Sequence, residues 1–187
     1  MNFSAYDEEG RRKYINAAEG DRFLQATSLI LPFNEAIFCK TLYFTGCRIS
    51  ECLMLGPSNL DFNENTLRIR TLKKRGKIHV RRIPIPQGLS RDLQKIESSS
   101  DQFWSFSRTT AWRDVKAVVM ASGVKGPHAC PKGLRHGFGV RAVLAGIPIT
   151  KIQKWMGHSN IKTTAIYLDV RDAEERELMQ RTWEEYY

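Results

Sequence analysis

The stretch at residues 131–167 reads PKGLRHGFGVRAVLAGIPITKIQKWMGHSNIKTTAIY. It opens with a basic cluster around Arg135, runs through segments whose apolar residues recur at helical spacing, and ends at Tyr167. That spacing predicts three helices, at residues 134–145, 149–156 and 160–168. Fixed cations suit a phosphate, and a phenol can become a nucleophile once its proton is removed. The stretch therefore predicts a helical fold that gathers cations, imidazoles and a phenol around a phosphate-like anion.

Apolar residues at helical spacing also predict helices upstream and downstream of this stretch. They are expected at residues 21–31, 33–43, 49–55, 87–97, 110–123 and 171–187. Gly46 is expected to end the helix before it. The helix at 110–123 is expected to bury Trp112 together with its valines.

Residues 66–86 alternate between apolar and polar side chains, a pattern that predicts a β-hairpin. The first strand is expected to present Leu67 to the interior, and the second strand is expected to present Val80 and Ile83. The tip at residues 73–77 reads KKRGK, and several cations there suit a DNA groove or backbone. A solvated turn that resists aggregation is the alternative.

The bulk composition limits the class of protein. The chain has 187 residues, 42% of them hydrophobic, which is enough for one domain with a real core. Lys and Arg number 29 against 20 Asp and Glu, and the net charge of +9 favours nucleic acid first and an anionic membrane second as partner. No apolar run reaches transmembrane length, and no signal peptide is expected at the acidic start of the sequence. The four cysteines form no C-x-x-C pair, so zinc-finger spacing is absent, and buried free thiols in a reducing cytoplasm are expected.

Arg48 lies at a predicted junction between a loop and the helix that follows Gly46. A helix N-terminus carries partial positive charge, so a guanidinium there is well placed to hold a phosphate bidentately. The alternative is a surface arginine paired with Glu51. Taken alone, the local residues favour this alternative.

Four segments together carry a family resemblance: GCRISECLMLGPSNLDF from residue 46, the basic hairpin, KGLRHGFG from residue 132 and WMGHSNIKTTAIY from residue 155. In order and approximate spacing they resemble the catalytic domain of tyrosine recombinases, the phage integrase family, over residues 33–170. The resemblance implies a mainly α fold with a small antiparallel β-sheet, an α+β class. It implies a single catalytic domain over residues 1–187, and no N-terminal core-binding domain is expected in so few preceding residues.

The resemblance also implies a role for each matching residue. Arg48 and Arg135 would clamp the scissile phosphate and neutralise the charge that builds in the transition state. His158 would donate a hydrogen bond to a phosphate oxygen, and a cap at the helix end is its alternative role. Tyr167, nine positions after His158, would attack the phosphate to give a 3′-phosphotyrosyl bond and a free 5′-hydroxyl. No metal, ATP or other cofactor is implied.

Two lysine positions differ in how well they match. The hairpin lysine that protonates the leaving 5′-oxygen is matched best by Lys73, with Lys74 as the alternative, because only one of two neighbouring strand residues can face the site. Lys132 stands where the family commonly has histidine. A lysine is protonated at neutral pH and suits fixed charge better than a general base. We therefore expect Tyr167 to lose its proton to another group or to the phosphate.

The remaining basic residues near these positions are expected to contact the substrate. They are Lys74, Arg75 and Lys77 in the hairpin tip and His136 beside the second arginine. His136 matches a family position that is mainly structural. Glu51 is expected to orient a neighbouring basic group.

The implied function is site-specific DNA recombination, in which a cytoplasmic enzyme encoded by a bacterium, phage or plasmid cleaves and rejoins strands. Double-stranded DNA is the implied partner, with a dimer or tetramer on the DNA and an accessory DNA-binding protein. The helix at 171–187 would be exchanged between protomers or buried in its own domain. A non-catalytic DNA-binding protein on the same scaffold is the alternative, supported by Lys132 and by the missing clamp domain. A binder of RNA or anionic surfaces would explain the charge but not Tyr167.

Overall fold

The computed structural model describes residues 4–72, 78–97 and 101–183. Within these ranges the helices are α1 (Ala17–Ile30), α2 (Phe33–Thr45), α3 (Ile49–Leu53), α4 (Gln87–Gln94), α5 (Arg108–Ala121), α6 (Pro131–Leu144), α7 (Ile149–Met156), α8 (Lys162–Ala165) and α9 (Ala173–Gln180). The strands are β1 (Leu60–Asp61), β2 (Thr66–Leu72) and β3 (Ile78–Pro84), and two short 3₁₀ helices span Pro57–Asn59 and Ile166–Leu168. The predicted mainly α fold with a small antiparallel sheet is confirmed.

The three strands form one antiparallel sheet in the order β1-β2-β3, so the predicted hairpin is confirmed. Pairing between β2 and β3 continues without interruption along both strands. Alternate residues of β3 therefore share a face, and Arg81 and Ile83 both point inward with exposures of 0% and 1%. The prediction that Val80 lies inside is wrong. Val80 is the neighbour of Arg81 in the strand, so its side chain points to the opposite face of the sheet and is 48% exposed.

The larger of two apolar cores lies between the sheet and helices α1 to α5. α2 forms its centre, because Ile37, Phe38 and Leu42 recur at helical spacing and are at most 4% exposed. Trp104 packs edge-on against Phe38 with ring centroids 5.3 Å apart, and its indole N–H donates to the carbonyl of Cys52 at 2.7 Å. Burial of each side chain of this size contributes about 1.5–3 kcal/mol. This core therefore anchors α3 against α2.

The second core lies where α6 and α7 meet the first and last described segments of the chain. Its most buried large side chains are at most 1% exposed and include Tyr14, Val140, Ile152 and Tyr167. α6 lies between the two cores, because it packs on α2 and also on the 3₁₀ helix at Ile166–Leu168. This helix therefore brings distant parts of the chain to one place.

Two glycines in the left-handed backbone conformation end helices one or two residues before predicted site residues. Gly46 has a φ of 59° after α2, and Gly157 has a φ of 65° after α7. A left-handed residue at this position satisfies the last helical carbonyls and turns the chain, and glycine adopts it without strain. Arg48 follows the first of these turns, and His158 follows the second.

Some large apolar side chains lie outside both cores, and Trp112 is one of them. The prediction that it is buried is wrong, because its exposure is 48%. α5 instead buries a stripe of smaller side chains, each fully buried: Ala111, Val115, Val118 and Val119. None of the helices that the structure describes is long and apolar enough to cross a membrane.

Candidate active site

One cavity of about 420 Å³ lies where the two cores meet. Its walls come from the end of α2, the start of α3, helices α5 and α6, and the chain after α7. Six of the predicted site residues line it: Arg48, Lys132, Arg135, His136, His158 and Tyr167. The two guanidiniums, the imidazoles and the phenol therefore surround one space, although they lie far apart in the sequence.

Arg135 joins the two helix ends that form this space. Its Nη1 donates to the carbonyl of Gly46, and its Nη2 donates to the carbonyl of Met156 at 2.6 Å. These carbonyls belong to the turns that precede Arg48 and His158. Burial, and next the charge of Arg48, lower the pKa of Arg135 to about 10, so the guanidinium stays protonated at neutral pH. A fixed cation is thereby held between the two turns.

Arg48 is half-exposed at the residue before α3 and lines the cavity. Its backbone N–H donates to Glu51 Oε2 at 2.8 Å, and its Nη1 donates to Glu51 Oε1 at 2.9 Å. The pairing with Glu51 thus coexists with a position on the cavity wall. A guanidinium carries five N–H donors, so the bond to Glu51 leaves others for an anion.

A buried ion pair between Glu51 and Arg81, which the sequence did not predict, supports this wall. Arg81 Nη2 lies 2.6 Å from Glu51 Oε2, and Arg81 Nε donates to the carbonyl of Trp155 at 2.6 Å. Arg81 Nη1 also donates to the hydroxyl of Thr71, which donates to Glu51 Oε1 at 2.8 Å. Burial alone would raise the pKa of Glu51, but the hydrogen bonds and charge of Arg81 lower it to about 2. The pair thus joins α3, both long strands and α7.

The predicted residues of the hairpin tip, Lys73, Lys74, Arg75 and Lys77, lie outside the described residues. The described part of β2 meets the site through Thr71, whose partner Glu51 also holds Arg48. The choice between Lys73 and Lys74 as general acid stays a prediction.

Tyr167 is 1% exposed, and its hydroxyl oxygen lies 2.9 Å from Nδ1 of His136. Gly139 permits this packing, because a Cβ there would lie 2.5 Å from the phenol ring. The ring of His158 stacks nearby, with centroids 6.4 Å apart and planes inclined by 27°. Burial raises the pKa of Tyr167 to about 12, although the two nearby guanidiniums oppose the shift. The hydroxyl therefore keeps its proton at neutral pH while the cavity holds no anion.

His158 is held by Thr164 on α8, whose Oγ1 lies 2.9 Å from Nδ1 of the ring. Burial, followed by the charges of Arg135 and Arg48, lowers the pKa of His158 to about 3, so the ring is neutral at pH 7. A hydroxyl that donates to Nδ1 leaves the ring proton on Nε2. That N–H can donate to a phosphate oxygen.

Lys132 and His136 are one helical turn apart on α6 and border the same cavity. Lys132 is exposed, whereas His136 is half-buried against Tyr167. Burial, followed by the charges of Lys132 and Arg135, lowers the pKa of His136 to about 4. Lys132 therefore adds positive charge to the site, and the imidazole in contact with the phenol is neutral.

The cavity is lined by four cationic side chains, two neutral imidazoles and a phenol, and the cations are Arg48, Arg108, Lys132 and Arg135. Cations attract a phosphate and also lower the pKa of a phenol beside it. Within residues 4–72, 78–97 and 101–183, no three His, Cys, Asp or Glu side chains are grouped as a metal site requires. The arrangement can hold a phosphodiester beside a hydroxyl nucleophile.

Known proteins are similar to this chain over most of its length. Tyrosine recombinase XerA of Pyrococcus furiosus is 32% identical over 160 residues, which cover 79% of this chain and 54% of that protein. The crystal structure of XerA recombinase gives a TM-score of 0.78 at 22% identity, covering 90% of this chain and 64% of that one. XerH site-specific recombinase, solved in a pre-cleavage complex with its difH substrate, gives a TM-score of 0.74 at 17% identity. The match covers 95% of this chain and 59% of the XerH chain.

These matches cover less than two thirds of each of the three proteins. The two structures, at low identity, share the fold of this chain. The model of the phage integrase family matches residues 13–174, which is most of the sequence. The chain belongs to the phage integrase family.

Proposed function

We propose that this chain acts as a site-specific DNA recombinase, which cleaves and rejoins strands through a 3′-phosphotyrosyl intermediate. The observation that carries the proposal is the position of Arg48, Arg135 and His158 around the cavity that Tyr167 also lines. Fixed donors of this kind stabilise the charge that develops on a phosphate under attack. Double-stranded DNA is the proposed substrate, in keeping with the net charge of +9.

The proposed reaction uses groups of this chain at each step. The scissile phosphate enters between Arg48 and Arg135, and His158 donates to a non-bridging oxygen. The Tyr167 oxygen attacks phosphorus, the bond to the 5′-oxygen breaks, and the 3′-phosphate stays on the tyrosine. The leaving oxygen takes a proton from a lysine of the hairpin tip. A 5′-hydroxyl of another strand reverses the reaction, so the phosphodiester energy is retained in the tyrosyl ester.

Assembly on DNA as a dimer or tetramer is part of the proposal. α9 has no buried residues, and Met179 and Trp183 are 48% and 42% exposed. Exchange of this segment with a neighbouring protomer would cover these side chains, whose exposure to water is unfavourable. XerH, which shares the fold, was solved on its difH substrate, and this supports a DNA partner for the cationic cavity.

A pool of DNA duplexes of randomised sequence, with sulfur in place of one bridging 5′-oxygen, tests the proposal. A thiolate leaves without needing a proton and is a poor nucleophile toward the phosphate, so a cleavage event is trapped as a covalent adduct. We expect the wild-type chain to retain a sequence-restricted fraction of the pool through denaturing electrophoresis. Strong binding of the pool without any adduct would contradict the proposal and favour the non-catalytic alternative.

Replacement of Lys132 by histidine tests whether this position supplies charge or a base. We propose charge, so the variant should lose activity about tenfold as its imidazole loses its proton, with a midpoint near the usual value of about 6.5. The wild-type rate should not fall in that window, because a lysine stays charged. The measurement is the single-turnover rate of adduct formation on duplexes selected from the pool, from about pH 5.5 to about pH 8.

The matched control for this variant is Lys125→His, which changes an exposed lysine of the loop before α6 outside the cavity. Its rate should follow that of the wild type at every pH. A rate for Lys132→His that rises with pH through the same window would instead show that this position needs a base.

A further inference from the structure

The proton of the Tyr167 hydroxyl needs an acceptor when its oxygen attacks phosphorus. Lys132 is unsuited to the task, because a lysine is already protonated at neutral pH. His136 Nδ1 lies 2.9 Å from the Tyr167 oxygen, within the reach of about 2.6–3.2 Å that a general base requires. We propose that His136 accepts this proton during strand cleavage, an inference that rests on the proposed function.

The hydrogen bonds of the pair favour a ring that accepts from the phenol. If Tyr167 donates to Nδ1, the ring proton lies on Nε2, and that N–H is the one group of the pair without a partner among the described residues. If Nδ1 donates to the phenol oxygen instead, two groups lack partners among the described residues: the phenolic proton and the lone pair of Nε2. Each buried unsatisfied group costs about 1–3 kcal/mol. The first arrangement is therefore the more stable, and it directs the phenolic proton at the imidazole.

The surroundings keep the imidazole and the phenol neutral until a phosphate enters. Burial, and next the charges of Lys132 and Arg135 on α6 and of Lys13 from the N-terminal segment, disfavour a second proton on the ring of His136. A phosphodiester anion between the guanidiniums offsets this positive charge and so favours the protonated ring. The phenolic proton also becomes more acidic as the oxygen bonds to phosphorus, so proton transfer accompanies the attack.

The O–H bond of Tyr167 breaks as the bond between Nδ1 of His136 and the proton forms. The oxygen–phosphorus bond forms while the bond from phosphorus to the 5′-oxygen breaks, and its electron pair goes to that oxygen. A separate proton reaches the leaving oxygen from the hairpin lysine. In the rejoining step the imidazolium returns its proton to the phenolic oxygen.

Two replacements separate proton transfer from positioning. His136→Asn keeps a neutral acceptor atom close to the place of Nδ1 but has no basicity, and His136→Phe keeps only the bulk. On bridging-sulfur DNA that the wild type cleaves, we expect both variants to form adduct about a hundredfold more slowly, since general bases contribute about 10²–10⁴-fold. An asparagine variant as fast as the wild type would overturn the inference, because a hydrogen bond alone would then suffice.

A more acidic phenol gives a readout that a structural role would not move. With 3,5-difluorotyrosine at position 167, the rate gain should be about tenfold larger in His136→Asn than in the chain that keeps His136. Equal gains would overturn the inference. In the chain that keeps His136, the rate should fall at acid pH, and the midpoint of that fall should be the same with tyrosine and with 3,5-difluorotyrosine at position 167. A midpoint that shifts with the acidity of the phenol would also overturn the inference. This last measurement needs no replacement of His136, so it remains decisive if both variants fail to fold.

Failure of the proposed function has a different signature. If the wild-type chain forms no adduct with any DNA of the randomised pool, the recombinase proposal fails, and the inference about His136 fails with it. If the wild type forms adduct and His136→Asn does so equally fast, only the inference fails.

Discussion

Replacement of Arg81 by methionine is expected to lower the free energy of unfolding by about 3–5 kcal/mol, because it removes the buried partner of an ion pair and leaves the buried carboxylate with only the half-exposed Arg48 as a cationic partner. The charge left behind is that of Glu51, which is 5% exposed and lies 2.6 Å from Arg81 Nη2. The carbonyl of Trp155 would lose its donor as well. Urea unfolding at neutral pH measures the change.

The matched control is Arg82→Met, at the next residue of β3. Arg82 is 59% exposed and lies 3.2 Å from Asp61, and exposed pairs of this kind contribute about 0–1 kcal/mol. The control should therefore unfold close to the wild type, and equal losses in the two variants would contradict the role given to Arg81. In a chain with both Arg81→Met and Glu51→Gln, part of the stability should return, because the buried carboxylate that lost its buried partner is then neutral.

The pH dependence of stability provides an independent check on the same ion pair. In the folded protein the pKa of Glu51 is lowered from 4.5 to about 2. A carboxylate with a depressed pKa stabilises the fold above its ordinary pKa, and this contribution is lost as the pH falls from there toward the depressed value. Without Arg81 the pKa of Glu51 rises, so less of this contribution is present to be lost, and the difference in stability between the wild type and Arg81→Met should narrow as the pH falls from about 4.5 to about 2.

Replacement of Arg135 by lysine is expected to slow adduct formation by about 10²–10³-fold, the loss typical of removing one charge-stabilising donor from a transition state. The guanidinium holds the carbonyls of Gly46 and Met156 and still has N–H groups for a phosphate. An ammonium lacks the planar fork of the guanidinium, so it cannot serve both carbonyls and a phosphate in that geometry. The measurement is the single-turnover rate on DNA that the wild type cleaves.

Arg141→Lys is the control for this variant, since Arg141 is also a partly buried arginine of α6. Its Nη2 donates to the carbonyl of Tyr43 at 2.8 Å, and its guanidinium lies 3.7 Å from the centre of the Tyr43 ring. Neither residue lines the cavity. The control should lose some stability and keep its rate, and a rate loss as large as that of Arg135→Lys would mean that damage to α6 explains both.

Local patterns in the sequence predicted the ends of several helices and the hairpin, because neighbouring residues determine these features. The helix expected at residues 149–156 has the bounds of α7, because a proline precedes it and a left-handed glycine follows it. Gly46 ends α2 as expected, and the alternation at residues 66–86 gives the hairpin. In each of these elements, the residues that predict the structure are those that form it or lie within a few residues of it.

The contact between Arg81 and Glu51 was not predicted, because local patterns do not specify contacts between distant elements. Arg81 has the composition of a solvent-facing strand residue, since arginine is seldom fully buried without a partner. Its partner Glu51 lies 30 residues earlier in the chain. The sequence did contain one indication: Arg81 and Ile83 are two residues apart, so their side chains point to the same face of β3. Trp112 shows the opposite error, because an apolar ring at helical spacing predicted burial where the core accepts only smaller side chains.

The identities of the candidate site residues came from the family resemblance, whereas their mutual geometry came only from the structure. His136 and Tyr167 are 31 residues apart, and no sequence spacing indicates that their side chains share a hydrogen bond. The close approach of Gly139 to the phenol ring gives the physical reason for a glycine in that turn of α6. This packing is what places a base beside the proposed nucleophile.

The attack of the Tyr167 oxygen on phosphorus is tested most directly by mapping the adduct that forms on bridging-sulfur DNA. Protease digestion and mass spectrometry of the adduct identify the residue that carries the nucleotide and the end through which it is linked. We predict a 3′-phosphate on Tyr167, a free thiol on the 5′ end of the departing strand, and no adduct with Tyr167→Phe. A nucleotide on any other residue, a linkage through a 5′-phosphate, or an adduct that persists in Tyr167→Phe would contradict the proposed chemistry.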